Sequence, residues 1–264
     1  MLTPAIQQRH FGCLSDISLG GLTAMHVLIN HTALFNAYVA IDPTANWSAS
    51  RLLAELQTLS YKGKPFTNTA LYTGIANIDK EMELHQLMED TTFASEGFRA
   101  NYEIDNYLMV EKQLGLRYSS KFYPNEVHTT IPLIAEYDAL HFIFDFYELA
   151  FNTADFEDPS LNVAAKLKSH FEGISKNFGF EVKPDEEMIN SLGYQFLMMQ
   201  QMEKAEGLFL LNIDLYPDHA NVYDSAGDYY AAAGERLKAI ERYKKAQTIE
   251  YNDYTEAKLK ALEQ

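Results

Sequence analysis

The first 150 residues alternate between short apolar segments and longer segments with helical spacing. Apolar segments of the kind expected for buried strands lie at 11–14, 35–43, 69–73 and 116–123. Helical spacing of apolar residues follows them at 20–30, 47–59, 98–114 and 132–150, while 75–92 is acidic and irregular. Strands that alternate with helices in this way predict an α/β fold, in which crossover helices wind a parallel sheet.

The C-terminal part of the chain is helical and repeats itself. Residues 151–170 shift in composition and mark a boundary. After it, the positions that recur 34 residues later are Leu192-Gly193, Ala205, Phe209 and Pro217, matched by Ala226-Gly227, Ala239, Tyr243 and Tyr251. This period is typical of tetratricopeptide repeats, and 256–262 would form their capping helix. We therefore expect an α/β domain at 1–152, a linker with a helix at 153–185, and repeats at 186–264.

Composition and charge exclude several classes of function. The chain has 264 residues, of which 47% are hydrophobic, which is enough for a sizeable core. Its 37 acidic and 21 basic residues give a formal charge of −16, so we expect neither a nucleic-acid partner nor attraction to an anionic membrane. The sequence predicts no membrane span and no export signal, which favours a cytoplasmic location. The single cysteine, Cys13, excludes an internal disulfide, and no spacing of His or Cys predicts a metal site.

A serine lies at the junction of the first strand and the first helix, in the stretch DISLGGLTA. In a nucleophile elbow of the pattern G-x-S-x-G, small residues let the chain turn sharply and leave the serine hydroxyl above the sheet. Ser18 and Gly20 fit this pattern with Gly21 behind them, but Asp16 stands where the first glycine belongs. The alternative interpretation is that Ser18 is simply the N-cap of the following helix.

A serine nucleophile needs a base and an acid, which follow it in a wound hydrolase sheet in the order Ser, acid, His. His128 comes just after the last predicted strand, where the base belongs, although a histidine in a loop is often only a surface residue. The acid should follow the preceding strand, beyond Gly74. We take Asp79 as the candidate there, but spacing does not distinguish it from Glu81, Glu83 and Asp90.

Three stretches resemble the esterase family of α/β-hydrolases that includes enterochelin-esterase-like and esterase D-like proteins. The first, 18–22 (SLGGL) with 34–43 (LFNAYVAIDP), resembles that family's elbow, helix and next strand. The second, 123–133 (YPNEVHTTIPL) followed by 137–140 (YDAL), resembles its catalytic histidine segment and is the most specific of the three. The third, 190–194 (NSLGY) with 221–225 (NVYDS), is similar to the repeat extension of some bacterial members.

The resemblance implies the C-terminal part of a doubly wound α/β-hydrolase sheet, followed by an all-α extension of tetratricopeptide-like repeats. It also implies that the protein needs no cofactor and no metal. By this resemblance Ser18 is the nucleophile, His128 is the base and the Leu19 amide is an oxyanion donor, while Pro43 and Trp47 border the substrate pocket. The family's acid often stands three residues past the glycine that ends its strand, a position held here by Asn77. Members also carry a half-domain before the elbow, so the resemblance predicts a truncated protein with an uncovered sheet edge.

From these observations we expect a serine hydrolase that cleaves carboxylic esters through an acyl-enzyme on Ser18. The alternative is a catalytically inactive hydrolase remnant that binds a protein partner through the concave face of its repeats. Asp16 and the missing half-domain favour the alternative, whereas the retained Ser18 and His128 favour the enzyme. The uncovered sheet edge would also allow a homodimer.

Overall fold

The computed structural model describes residues 11–47, 49–61, 66–112 and 114–263, and the chain divides into two compact units. One unit ends at Glu148 and the other begins at Leu149. We call the first the sheet unit and the second the helical unit. Of the helices in the described ranges, none is long and apolar enough to cross a membrane.

The sheet unit is built, among the residues described, on four strands that are all parallel and follow the order β1-β2-β3-β4. The strands are β1 (Cys13–Ile17), β2 (Ala37–Ile41), β3 (Ala70–Ala76) and β4 (Arg117–Tyr123). The helices of this unit are α1 (Leu19–Asn30), α2 (Ala49–Tyr61), α3 (Leu84–Glu89), α4 (Glu96–Val110) and α5 (Pro132–Ile143). The predicted parallel α/β arrangement is therefore confirmed.

The carboxyl ends of the strands form one edge of the sheet. In the register of the strands, Ile17 pairs with Ile41, and Ile41 pairs with Gly74. The turns that follow β1 and β2 consequently begin side by side, next to the last residues of β3, which continues to Ala76. In open parallel sheets, ligands bind at this edge.

Apolar side chains cover both faces of the sheet. On one face the helices α1, α2 and α4 contribute Leu28, Leu56 and Ile104, and on the other face α5 contributes Ala135 and Ala139. β2 and β3 are buried along their whole length, as expected for parallel strands that are covered on both faces. β1 lies at the end of the described sheet, and two of its five residues are exposed.

Two helices differ from the sequence prediction. α3 forms within 75–92, because Oε1 of Gln86 accepts a hydrogen bond from the Glu83 N–H at 2.8 Å and closes the first turn. α5 ends at Ile143 rather than at 150. After it the rings of Phe144 and Phe146 lie 5.3 and 6.3 Å from that of Phe11. These aromatic contacts end the helix earlier than its periodicity predicts.

The helical unit contains, within 149–263, the helices α6 (Thr153–Glu157), α7 (Val163–Phe178), α8 (Glu186–Met198), α9 (Met202–Leu215), α10 (Ala220–Ala232), α11 (Arg236–Ile249) and α12 (Asp253–Glu263). α8 packs along α9, and α10 packs along α11, so that they form two helical hairpins. Val163 and Leu167 of α7 belong to the same apolar core as the hairpins. The segment predicted as a linker with a helix therefore contributes to the packing of this unit.

The two hairpins share one packing feature, at positions 34 residues apart. A Cβ on Gly193 would lie 2.9 Å from Cζ of Phe209, and a Cβ on Gly227 would lie 2.5 Å from Cδ1 of Tyr243. In each hairpin an aromatic ring of the second helix thus packs directly on the backbone of the first helix. The glycines are required here because any side chain would hold the helices apart.

Candidate active site

Ser18 occupies the turn between β1 and α1, at the carboxyl edge of the sheet. Its backbone has φ 59° and ψ −124°, a conformation that residues with a side chain rarely adopt. The Ser18 N–H donates to the Ile41 carbonyl at 3.0 Å, which holds the turn against β2. Gly21 permits this close approach, because a Cβ there would lie 3.3 Å from the carbonyl oxygens of Asp16 and Ile41. A strained strand-to-helix turn with small neighbours is the defining feature of a nucleophile elbow.

The side chain of Ser18 does not act as a helix cap. Ser18 is the N-cap residue of α1 by position, but its hydroxyl makes no capping hydrogen bond to the described backbone. Its Oγ lies instead 3.2 Å from Oγ1 of Thr44, in the segment after β2. The hydroxyl therefore faces the strand ends, and the simpler interpretation of Ser18 as a cap has no support in its hydrogen bonding.

Asp16 takes the place of the first elbow glycine and lies against Gly20. A Cβ on Gly20 would overlap the Asp16 carboxylate, so the glycine leaves room for the aspartate. Asp16 is exposed, and its Oδ1 accepts a hydrogen bond from the Ile17 N–H at 2.8 Å. Its negative charge thus lies beside the first turn of α1, where the helix dipole favours it, and close to the turn that carries the serine.

His128 lies in the turn between β4 and α5, and its ring contacts Asp42 at the end of β2. The distance between Nδ1 of His128 and Oδ2 of Asp42 is 2.6 Å. About half of the His128 side chain is exposed, whereas 16% of the Asp42 side chain is exposed. A hydrogen bond from Nδ1–H to the carboxylate leaves Nε2 free to accept a proton, which is the tautomer that a general base needs.

Asp42 is held by groups from the neighbouring strand and helix. Its N–H donates to the Gly74 carbonyl at 2.7 Å, and its Oδ1 accepts from the Ala76 N–H at 3.2 Å and from Nδ2 of Asn101 at 3.4 Å. Its backbone φ of 39° is positive, as at Ser18. Burial raises the pKa of Asp42, and the hydrogen bond from His128 is the largest contribution that opposes the rise.

The acid predicted at Asp79 is not the group that contacts His128. Asp79 is exposed, and its Oδ1 accepts a hydrogen bond from the Glu81 N–H at 3.0 Å. The chain turns outward after β3, and the Asp79 N–H is bound to Oδ1 of Asn77 at 3.0 Å. The contact expected of Asp79 is made by Asp42, one strand nearer to β1.

The other predicted site residues lie near the same strand ends. Leu19 is the first residue of α1, and the N–H groups of a first helical turn have no partner within the helix. Pro43 is buried, and its Cβ lies 3.3 Å from the position of a Cβ on Gly21. Trp47 ends a short 3₁₀ turn, and its side chain is 75% exposed. Leu19 and Pro43 thus flank the serine turn, and the Trp47 ring is accessible.

The sequence does not predict Asp42, Thr44 and Asn101 as site residues. Asp42 precedes Pro43 at the end of an apolar run that predicts a buried strand. Its position at the carboxyl end of the strand next to the serine was an available signal. Asn101 gave no such signal, because it lies in the middle of α4, and the packing of that helix brings it to Asp42.

The site thus combines a serine on a strained turn with a carboxylate–imidazole pair. These groups can support nucleophilic attack by the hydroxyl with the imidazole as base. Among the described residues, no three His, Cys, Asp or Glu side chains are placed to hold a metal ion.

No family model matches the chain, and no curated protein matches it. Among solved structures, the chain is similar to an IroE-like serine hydrolase from Shewanella oneidensis, with a TM-score of 0.57 and 24% identity over 78% of this chain and 60% of that one. It is also similar to an uncharacterised protein from Capnocytophaga ochracea, with a TM-score of 0.57 and 17% identity over 94% of this chain and 67% of that one. The chain therefore spans about three fifths of the length of the Shewanella protein. At these identities the similarity shows a shared fold.

Proposed function

We propose that the protein is a serine hydrolase that cleaves carboxylic esters, with Ser18 as nucleophile, His128 as base and Asp42 as acid. The observation that carries this proposal is the 2.6 Å contact between His128 and Asp42, at the sheet edge where Ser18 is held at φ 59°. A serine on a strained turn and an imidazole oriented by a carboxylate together support nucleophilic catalysis. The fold shared with the Shewanella serine hydrolase supports the same class of reaction by analogy.

In the proposed reaction, Oγ of Ser18 attacks the ester carbonyl carbon while Nε2 of His128 accepts the hydroxyl proton. The Leu19 N–H donates a hydrogen bond to the oxyanion that forms. The tetrahedral intermediate then collapses, and His128 returns the proton to the departing alcohol, which leaves an acyl ester on Ser18. A water molecule attacks this ester while His128 accepts its proton, and His128 then returns that proton to Oγ of Ser18 as the carboxylic acid is released. Asp42 stays ionised and keeps the imidazole in the required orientation.

Two geometric relations connect the nucleophile with the other groups. Ser18 and Asp42 directly follow the paired residues Ile17 and Ile41, and the Ser18 N–H donates to the Ile41 carbonyl at 3.0 Å, so the two residues leave the sheet at adjacent strand ends. The Ser18 hydroxyl is hydrogen-bonded to Thr44 and must turn toward His128 when an ester binds. Catalytic hydrogen bonds often form fully only in the complex with substrate. We assign the border of the substrate pocket to the buried Pro43 and the exposed Trp47.

Labelling with a fluorophosphonate probe tests this proposal, because such probes react with activated serines. We expect the wild type to label and Ser18→Ala to abolish labelling. Ser15→Ala is the matched control, since Ser15 is an exposed serine on the same short strand, with its hydroxyl bound to Glu136. Equal labelling of the wild type and Ser18→Ala would reject the catalytic proposal.

A second candidate function is protein binding by a hydrolase remnant without activity. Asp16 keeps a negative charge near the place where an oxyanion would form. In this case the two hairpins, which we assign to the tetratricopeptide class, would bind an extended peptide on their concave face. β1 pairs only with β2 among the described strands, which would also allow a homodimer through its other side. A folded wild type that does not label would favour this candidate.

A further inference from the structure

The end of β3 holds a buried amide to which the proposed reaction assigns no role. Asn77 is 1% exposed, and both ends of its amide are bound to backbone groups. Its Nδ2 donates to the carbonyl oxygens of Pro124 at 3.0 Å and Met82 at 3.2 Å, and its Oδ1 accepts from the Asp79 N–H at 3.0 Å. The backbone N–H of Asn77 also donates to the Glu126 carbonyl at 2.8 Å.

Two of these bonds fasten the turn that carries His128. Pro124 and Glu126 lie four and two residues before His128, directly after β4. β3 and β4 pair along their whole length, up to Ala76 and Tyr123. Asn77 follows directly, and its hydrogen bonds extend the contact between the two strands into the turn after β4. The turn that carries the imidazole is therefore attached to the end of β3 through both the side chain and the backbone of Asn77.

An amide suits this position, and an ionised acid does not. Both acceptors of the Asn77 Nδ2 are carbonyl oxygens, and a carboxylate in its place would set oxygen against oxygen with no proton between them. An acid could therefore not act from this strand end unless the turn moved. The acid that contacts His128 comes from β2, and the same end of β3 holds it through the hydrogen bond from the Ala76 N–H to Asp42.

We propose that Asn77 is a positioning residue, which sets the distance between His128 and Asp42 by fixing the turn after β4 to the end of β3. Its effect on catalysis rests on the proposed function, but the hydrogen bond between His128 and Asp42 can be observed without a substrate. Loss of the amide bonds lets the turn shift, and a displacement of about 1 Å costs on the order of 100-fold in rate.

Two variants of Asn77 are compared with a variant of a buried amide in the helical unit. Asn77→Asp sets a carboxylate against the carbonyls, and Asn77→Ala removes the side-chain bonds without adding charge. Asn212→Asp is the control, because Asn212 is also fully buried and its Nδ2 donates to the Glu186 carbonyl at 3.1 Å. The low-field NMR signal of the His128 Nδ1–H, assigned with His128→Ala, reports the contact with Asp42. Thermal unfolding reports the fold.

We expect both Asn77 variants to lose the low-field signal and to label with the fluorophosphonate about 100-fold more slowly. Asn212→Asp should keep the signal and the labelling rate of the wild type. The inference would be overturned if folded Asn77→Ala kept the low-field signal and the labelling rate of the wild type. If Asn77→Asp does not fold, the result for Asn77→Ala alone decides. A wild type that fails to label would defeat the proposed function, while the NMR signal would still show whether Asn77 positions the histidine.

Discussion

The sheet unit and the helical unit differ in where they keep strained backbone. Four described non-glycine residues have a positive φ, and two of them, Ser18 at 59° and Asp42 at 39°, lie at adjacent strand ends. In the helical unit, Gln200 has φ 58° in the turn of the first hairpin, and the equivalent position of the second hairpin is Gly234 with φ 76°. The positive φ of Gln200 is therefore a property of the hairpin turn, because the second hairpin has a glycine with a positive φ at the equivalent position. Ser18 and Asp42 instead carry side chains that take part in the proposed reaction. This favours a functional cause for their strained backbone.

The two units also differ in how they hold a carboxylate. Burial raises the pKa of Asp42, whose Oδ2 contacts the His128 ring. In the helical unit, the buried Asp155 accepts hydrogen bonds from the Asn152 N–H at 2.9 Å and from Nζ of Lys166 at 2.6 Å, and these contacts lower its pKa. The contacts in the helical unit therefore favour the ionised form of its buried acid. The sheet unit instead keeps an acid whose ionised form is disfavoured by burial.

The largest expected effect separates Asp42 from Asp79. Asp42→Asn keeps the shape of the side chain but removes the charge that orients the His128 ring. We expect hydrolysis of p-nitrophenyl acetate and the rate of fluorophosphonate labelling to fall about 10⁴-fold, the size of effect measured when the acid of a serine triad becomes an amide. Asp79→Asn is the matched control and should change neither rate, because Asp79 is exposed and bonds to the nearby Glu81 N–H.

The opposite result would restore the acid that the sequence predicts. Loss of activity in Asp79→Asn, with activity kept in Asp42→Asn, would mean that the acid follows β3 and that the sheet edge rearranges when substrate binds. Thermal unfolding of both variants shows whether a loss of activity comes from a loss of the fold.

The parallel sheet could be predicted from the sequence because the physical cause of its pattern is local. β2 and β3 are buried on both faces, so they form apolar runs between helical segments. The serine turn is also local, since Ser18, Gly20 and Gly21 lie within four consecutive residues. His128 could be nominated because it comes soon after β4 in the chain.

The position of Asp42 at the end of β2 was an available signal, but its pairing with His128 depends on contacts between residues that are distant in the chain. The order of catalytic residues in a wound hydrolase sheet predicts the acid in the turn after β3. In this turn the side chain of Asn77 instead donates to backbone carbonyls and accepts from the Asp79 N–H, and Asp79 is exposed. One of the hydrogen bonds to Asp42 comes from Asn101, 59 residues further along the chain. No local pattern encodes that contact, which depends on how α4 packs on the sheet.

A smaller effect tests the packing that the two hairpins share. Gly227→Ala would put a methyl group 2.5 Å from Cδ1 of Tyr243, whose ring is 2% exposed and whose hydroxyl donates to Asp228 at 2.7 Å. Because this ring is held on all sides, we expect the free energy of unfolding to fall by about 1–3 kcal/mol. Gly173→Ala is the matched control in α7, where nothing lies within 4 Å of a Cβ. It should stabilise the protein by up to about 1 kcal/mol.

Urea unfolding followed by far-UV circular dichroism measures both changes, and labelling of Ser18 reports the sheet unit. Gly227→Ala should leave the labelling rate unchanged, because Gly227 belongs to the other unit. Equal stability of the two glycine variants would contradict the close helix packing on which the repeat assignment rests.

The smallest effect is the pH dependence of stability at Asp42 and Asp155. The pKa of Asp42 is raised above its ordinary value of 3.8, so the stability that it contributes is present below that pH and is lost as the pH rises through the folded pKa. The pKa of Asp155 is lowered, so its contribution is present above pH 3.8 and is lost as the pH falls through the folded pKa. Relative to the wild type, the urea midpoint of Asp42→Asn should therefore rise as the pH goes from about 4 to about 7, whereas that of Asp155→Asn should rise as the pH falls below 3.8. If the two variants showed parallel pH profiles of the urea midpoint, the two units would not differ in how they hold a carboxylate. The contrast between the units would then rest on backbone strain alone.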